Sequence, residues 1–427
     1  MAYKPVKVVE VSAWGSVVGA VVLDDRSGYG VFEYDRRWNR SGVELSPLML
    51  PNRTGIFTFP QLSDVTYRRL PAMLADALPD RFGSSLLEAY LANEGISPRQ
   101  ITPLDRLAYI GRRGMGALEF APPTGPALRS ATAYDIANIV NEGRNAIAGS
   151  FGTEEDATAG IQHLIQIGSS AGGLRAKAII AYNDETGEIR GGHVDAPDGF
   201  EHWLIKLDGV DADNTLGVTG NDGRLEYAYY LMAVAAGVDM MHSELLEECG
   251  RAHFMTRRFD RIGNQRVHVQ TLCALAHLDF REIGTHDYSQ LLLTISELGL
   301  GADAQRQAFR RAAFNVMAAN RDDHTKNFAF TLPEGGSWGL APAYDLTYTA
   351  DLSLRQMSVN GNFGEVDADD LFALADRFGV EAASDVLSEV ANAVDAWPTF
   401  AGDAGLEPEL TARVSSALTR PVRRRRR

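Results

Sequence analysis

The spacing of hydrophobic positions changes along the chain, and the changes divide it into regions. Residues 6–35 alternate apolar and polar positions around a turn at Asp24-Asp25-Arg26-Ser27-Gly28, which predicts a small antiparallel sheet. Pro47, Pro51 and Pro60 then interrupt a loop-rich stretch. A helical period returns over 67–78, 84–92 and 133–148, so residues 1–155 are expected to form an α/β N-terminal sub-domain. The polar, glycine-bounded run 152–160 reads as a linker. Beyond it, apolar runs at 176–182 and 202–207 predict buried strands, 224–236 a helix and 252–259 another strand. From Tyr288 the pattern turns helical over 291–298, 304–319 and 369–390, and 327–332 with 338–340 reads as a hairpin. The expected divisions are therefore 1–155, a strand-rich part at 156–265, a mostly helical part at 266–418 and an arginine-rich tail at 419–427.

Composition narrows the class without naming it. The chain has 427 residues, 45% hydrophobic and 23% charged, ordinary globular values with length for two or three sub-domains. No apolar run approaches the roughly 18 residues that span a bilayer, and the start lacks an apolar signal core, so a cytoplasmic chain with no membrane partner is expected. Cys249 and Cys273 form neither a disulfide framework nor a zinc spacing. His242, His253, His268 and His277 share no metal-ligand spacing either. A net charge of −15 argues against a chain that coats nucleic acid by itself. The arginine run at 420–427 is read either as a solvated end or as an electrostatic arm for nucleic acid or an acidic partner.

Four constellations carry candidate chemistry. In Gly168-Ser-Ser-Ala-Gly-Gly-Leu-Arg-Ala-Lys177, adjacent glycines let backbone N–H groups approach phosphate oxygens, with Lys177 near by; a tight hairpin with a solvated lysine is the plainer reading. Lys206 sits inside a predicted buried strand, where an ammonium needs a partner, and Glu226 at the start of the next helix is the natural one. Asn320-Arg-Asp-Asp-His-Thr-Lys-Asn-Phe328 is polar beyond what a connecting loop needs. Its Asp322 and Asn327 have the five-residue offset of a kinase catalytic loop, where the aspartate orients a hydroxyl and the asparagine binds Mg²⁺. Asp345, in Leu340-Ala-Pro-Ala-Tyr-Asp345, supplies the second carboxylate that a Mg²⁺–ATP site needs. Arg257 to Phe259 could meet an adenine or simply end a strand.

These motifs, together with Arg258-Phe-Asp-Arg261 and the N-terminal runs Ala77-Leu-Pro-Asp-Arg-Phe-Gly83 and Thr102-Pro-Leu-Asp-Arg-Leu-Ala-Tyr-Ile-Gly111, resemble the successive signatures of the HipA kinases. The resemblance covers nearly the whole chain except the arginine tail. It implies an α+β, two-lobed, protein-kinase-like fold with a small β-rich N-terminal sub-domain and a mostly helical C-terminal lobe. It implies a serine/threonine kinase that uses ATP and Mg²⁺, the toxin of a type II toxin–antitoxin module. Asp322 would be the catalytic base, and Asn327 and Asp345 the Mg²⁺ ligands. Ala171, Gly172, Gly173, Leu174, Arg175, Ala176, Lys177 and Lys206 would meet ATP phosphates. Arg257, Arg258, Phe259, His324, Thr325, Lys326 and Tyr344 would line the rest of the nucleotide site. Ser170 corresponds to the autophosphorylated serine, with Ser169 beside it as the rival. The implied partners are a HipB-like helix-turn-helix antitoxin, operator DNA through that antitoxin, and a protein substrate such as an aminoacyl-tRNA synthetase. Leu174 and Ala176 depart from the common alanine and proline, which affects the stiffness of the loop. Two other readings stand beside this one: a small-molecule kinase on the same scaffold, and an idle pseudokinase acting as co-repressor. The intact set Lys206, Asp322, Asn327 and Asp345 speaks against the idle form.

Overall fold

In the computed structural model the described residues are 3–79, 81–93, 95–126, 177–208, 221–248, 250–349 and 352–419, with Asn138 and Glu142 besides. The chain divides into two compact units. The first comprises residues 1–220, 246–270 and 333–335; the second comprises 221–245, 271–332 and 336–427.

The alternation at the start of the first unit does form an antiparallel sheet. Its strands are β1 (Val8–Ala13), β2 (Ser16–Leu23), β3 (Gly30–Tyr34), β4 (Ile56–Phe57) and β5 (Leu118–Ala121), in the order β4-β3-β2-β1-β5. Val9, Val11, Ala13, Val18 and Val21 are buried on one face. A Cβ on Gly19 would lie 2.3 Å from the Glu33 carbonyl oxygen, so β3 can pair this closely only against glycine. The Pro103–Ile110 helix packs on β5 and β1. Thr102 and Asp105 close its first turn as a capping box, and Asp105 also accepts a bond from Val6 N at 2.9 Å. The helix expected over 67–78 is instead two short helices, Asp64–Tyr67 and Ala72–Ala75. Arg68 and Arg69 have φ values of 53° and 62°. Pro71 lacks the N–H that would continue the ladder and disfavours a helical residue before it.

The second sheet of this unit has the order β7-β6-β8-β10-β9, with β6 (Lys177–Tyr182), β7 (Ile189–Gly191), β8 (Glu201–Lys206), β9 (Ser243–Glu248) and β10 (Arg251–Arg257). Ile179, Ile180, Trp203, Ile205 and Met255 are buried, which accounts for the continuous apolar runs of β6 and β8. Antiparallel pairing sets Lys177 directly opposite Lys206, with Phe254 on the other side of Lys206.

Just past β10 lies a buried ionic knot. Asp260 is fully buried and accepts from Arg258 at 2.8 and 2.7 Å, from Arg261 at 2.8 Å and from Gly116 N at 2.7 Å. Burial opposes its charge, but the two guanidiniums and these bonds win and hold the carboxyl well below its usual range. The same burial lowers the Arg261 guanidinium to about 9. The knot ties the loop before β5 to the end of β10.

The second unit is mainly helical. The Gly301–Met317 helix packs against the Tyr288–Glu297 and Ala383–Asp395 helices, and Asp222–Ala235 against Trp397–Asp403. Tyr229 meets Phe314 and Trp397 edge-on, with ring centres 6.3 and 5.3 Å apart. The single helix expected over 369–390 is two, Ala368–Phe378 and Ala383–Asp395. Gly379 closes the first in a left-handed conformation at φ 63°, so the periodic pattern continues through a break that glycine makes easy. Among the described residues no helix is long and apolar enough to cross a membrane.

Replacing Asp260 by Asn leaves two guanidiniums buried without their carboxylate. Denaturant unfolding should show a loss of about 3 kcal/mol or more at pH 7. The stability that Asp260 contributes is present above the ordinary carboxylate range and is lost as pH falls below it, because its folded-state proton affinity is the lower one. The Asn variant should therefore show a flatter acid limb than the wild type.

Candidate functional site

The motif around Asp322 falls on a loop after the Gly301–Met317 helix, within the second unit. Ala319 turns the chain out of that helix at φ 53°, and 325–327 form a single 3-10 turn. Asp322 is half exposed. Its neighbour Asp323 is fully buried, so the two adjacent aspartates are different chemical objects. Partial burial pushes the Asp322 carboxyl up, His324 opposes this, and the charge of Asp345 reinforces it. His324 Nε2 lies 3.8 Å from Asp322 Oδ1, and the His324 ring packs on Phe280 at 5.2 Å. Lys326 places its ammonium over the same Phe280 ring, 5.2 Å from its centre.

Asn327 Nδ2 donates to the Asp322 carbonyl oxygen at 2.8 Å. The bond fixes which end of the amide faces away, and that end is the oxygen. Thr325 is buried and donates its hydroxyl to Leu278 O at 2.6 Å, so this side chain fastens the loop from beneath.

Asp345 is held from the other side. Arg311 donates to Ala341 O at 2.6 Å, Ala341 N to Ala329 O at 2.9 Å and Ala343 N to Asp239 O at 2.7 Å. Tyr344 then donates its hydroxyl to Lys326 O at 2.6 Å, joining this segment to the Asp322 loop. Asp345 itself has φ 57°, a left-handed conformation that costs a non-glycine residue about 1 kcal/mol. Strain of this kind persists where the surroundings over-determine it.

The donor set suits a magnesium ion. Two carboxylates that repel each other and a fixed amide oxygen provide hard ligands whose mutual repulsion a divalent cation relieves. Among the described residues no three His, Cys, Asp or Glu side chains gather as a closed metal cage. A cation here would take its remaining oxygens from a substrate.

The remaining candidates lie in the first unit. Lys177 and Lys206 face each other across β6 and β8, both largely buried, with the Lys206 ammonium 5.9 Å from the centre of the Phe254 ring. Arg257 packs over Trp203 at 5.4 Å and pairs with Glu201 at 2.8 Å. Arg258 is committed to Asp260 in the buried knot, and Phe259 between them is half-buried. Glu226, the expected partner of Lys206, is buried in the Asp222–Ala235 helix and belongs to the second unit. Ser169, Ser170 and the loop from Ala171 to Ala176 lie outside the described residues, as does the arginine tail.

A family model described as the HipA-like C-terminal domain matches residues 169–397, and one described as the HipA N-terminal domain matches residues 9–121. The chain belongs to the HipA family. Its fold is similar to that of HipA from Shewanella oneidensis MR-1, solved in complex with HipB and operator DNA. That match has a TM-score of 0.68 at 17% identity and covers 96% of this chain and 95% of that one. The proinflammatory kinase CtkA of Helicobacter pylori matches at 12% identity with a TM-score of 0.34, over 56% of this chain and 94% of that one; the fold assignment therefore stands on the Shewanella structure. Among curated proteins nothing matches the chain. The mixed α/β architecture, with its β-rich start and helical second unit, is the one expected of a HipA-family member.

Sequence reasoning assigned no role to Asp323, Tyr288 or Arg355. Asp323 was visible only as the second of two adjacent aspartates, and Arg355 lies in a stretch with no motif. Their partners become evident only in the folded chain.

Thr325→Val preserves the shape of the side chain while removing the donor to the Leu278 carbonyl. Chemical denaturation should show the variant less stable by roughly 1–2 kcal/mol. An unchanged midpoint would mean that water takes over the bond.

Proposed function

We propose that this HipA-family chain is a serine/threonine protein kinase that transfers the γ-phosphoryl group of ATP, with Mg²⁺, to a protein hydroxyl. The observation that carries the reading is the triad of Asp322, Asn327 and Asp345 on two loops joined by the Tyr344–Lys326 bond. Asp322 is open to a substrate and is the base that orients the acceptor hydroxyl. Its raised proton affinity suits a group that takes a proton late in transfer. Asn327 and Asp345 hold the metal, which, when bound, neutralises charge on the phosphate oxygens. His324, Thr325 and Tyr344 shape the loop, and Lys326, seated on Phe280, presents a positive charge beside Asp322.

In the first unit, Lys177 and Lys206 concentrate positive charge across one strand pair, where phosphate oxygens would be held. The family resemblance assigns Ala171 to Ala176 to the same phosphates and Arg257 to Phe259 to the rest of the nucleotide, with the Arg258 side chain held by Asp260. Ser170 is the autophosphorylation site. A phosphate there adds about −1.5 to −2 charges beside those of ATP and would switch transfer off. The Shewanella HipA was crystallised with HipB and operator DNA as part of a toxin–antitoxin system. By analogy this chain is the toxin of such a module, restrained by a HipB-like antitoxin that brings it to an operator. The acceptor is a protein, an aminoacyl-tRNA synthetase in the form the family resemblance suggests.

Asp322→Asn and Asp345→Asn should each lower transfer of radioactive phosphate from ATP to protein by roughly 10³-fold or more, with folding intact by circular dichroism. Half the wild-type rate in either variant would sink the assignment.

Lys206→Met keeps the apolar stem and deletes the charge. Calorimetric titration should show Mg·ATP affinity at least about tenfold weaker, the value of one charge-assisted contact. Unchanged affinity would remove Lys206 from the phosphate site.

A further inference from the structure

Asp323 and Arg355 belong to none of the groups expected to touch substrate, yet both are among the most deeply buried charges of the second unit. Asp323 Oδ2 accepts from Arg355 Nη1 at 3.1 Å and from the Tyr288 hydroxyl at 2.8 Å. Its Oδ1 accepts from the backbone N–H groups of Gln356 at 2.9 Å and Met357 at 3.3 Å. Tyr288 is held in turn by Asn315 at 2.9 Å, and Asn315 by Asn320 at 3.0 Å. Burial pushes the Asp323 carboxyl up, and Arg355, Tyr288 and the two N–H groups oppose that.

These bonds join two particular stretches of chain. One, residues 319–323, carries Asp322. The other comprises 345–349 and 352–357 and begins with Asp345. Further bonds fasten the same two stretches: Thr349 N to Ala319 O at 3.5 Å, Arg321 Nη1 to Leu352 O at 2.8 Å, and Gln356 N to Arg321 O at 3.1 Å. The second stretch is then moored by the parallel pairing of Met357 and Ser358 with His286 and Asp287. Ser358 also donates to Asp287 at 2.6 Å, where the Tyr288–Glu297 helix begins.

We infer that the Asp323–Arg355 pair is a positioning device that sets where Asp345 stands relative to Asp322, and through that spacing governs how the site takes up its divalent cation. The inference rests on the reading that Asp322, Asn327 and Asp345 hold Mg²⁺ with ATP. Neither Asp323 nor Arg355 is a catalytic residue, since each acts through the loop it fastens. The chemistry of the arrangement favours this over simple stabilisation. Replacing a buried ion pair by apolar packing is often neutral for stability, so stability alone does not account for this pair. Four directional bonds to one carboxylate fix the two loops in one register.

The test uses the full-length chain as Asp323→Asn, Arg355→Lys and Arg355→Met, with Val390→Ala as a destabilised control. Val390 is buried in the Ala383–Asp395 helix and belongs to neither loop. Phosphoryl transfer is measured against Mg²⁺ concentration at saturating ATP, alongside thermal melting. Asp323→Asn and Arg355→Met should raise the Mg²⁺ concentration for half-maximal rate at least tenfold. Arg355→Lys should recover most of that shift, because it restores a cation to Asp323. Val390→Ala should lower the melting temperature and leave the Mg²⁺ dependence within twofold of wild type. If Asp323→Asn lowers the melting temperature but keeps the wild-type Mg²⁺ dependence, the pair is structural only and the inference is overturned. A wild-type chain without phosphoryl transfer would instead refute the kinase reading. The device would then be judged by amide hydrogen exchange: faster exchange at 319–328 and 345–349 in Asp323→Asn supports the clamp, and unchanged exchange overturns it.

Discussion

Asp322 and Asp345, two carboxylates that repel each other, stand on two loops that a chain of hydrogen bonds in the second unit holds together. Asp345 raises the proton affinity of Asp322, so their charges are felt mutually even though neither side chain is fully enclosed. Nothing in the side chains themselves would keep such a pair together. The backbone does it through Arg311 to Ala341, Ala343 to Asp239, Tyr344 to Lys326 and Asn327 to Asp322. The left-handed residues Ala319 and Asp345 mark where the chain is bent to meet that demand. A loop under no such demand would relax these dihedrals.

How much of this was legible in the sequence depends on the range of the interaction that sets each feature. The strands β1, β2, β3, β6 and β8 follow from local alternation or from continuous apolar runs, and they lie where those patterns place them. The helices around Asp222–Ala235 and Gly301–Met317 likewise carry their own period. The misread elements are those where a single residue overrides the period. Pro71 divides the segment after Tyr67, and Gly379 divides 368–395 while the apolar spacing runs on regardless. Strand β5 was not distinguished because its partner β1 is about a hundred residues away, and a four-residue strand has no pattern of its own.

The candidate site shows the same division. Asp322, Asn327 and Asp345 could be named because their spacing and residue types mirror a known chemical task. The roles of the residues behind them could not. Asp322 and Asp323 are the same amino acid one position apart, and only burial separates an open carboxylate from an enclosed one. Thr325, which the resemblance sets along the nucleotide site, gives its hydroxyl to Leu278 O. Arg258, inside an apparent nucleotide motif, donates to the buried Asp260, which also accepts from Arg261 and Gly116 N. A motif therefore identifies a neighbourhood, and the contacts decide which of its members face outward.

The comparison with the Shewanella protein follows the same logic. At 17% identity over nearly the full length, most side chains have changed while the backbone path persists. Cores tolerate that much exchange when volume and pattern are kept. A loop whose side chains and carbonyls are tied by directional bonds, as Asn327 to Asp322 and Tyr344 to Lys326 are here, is more exacting, because each bond has a direction as well as a length. The acceptor meets a different kind of surface. Around Asp322 it would encounter Lys326 on Phe280, with Arg281 against the same ring and Ile283 exposed near by. Family membership and fold therefore leave the acceptor to be decided by the surface around this loop.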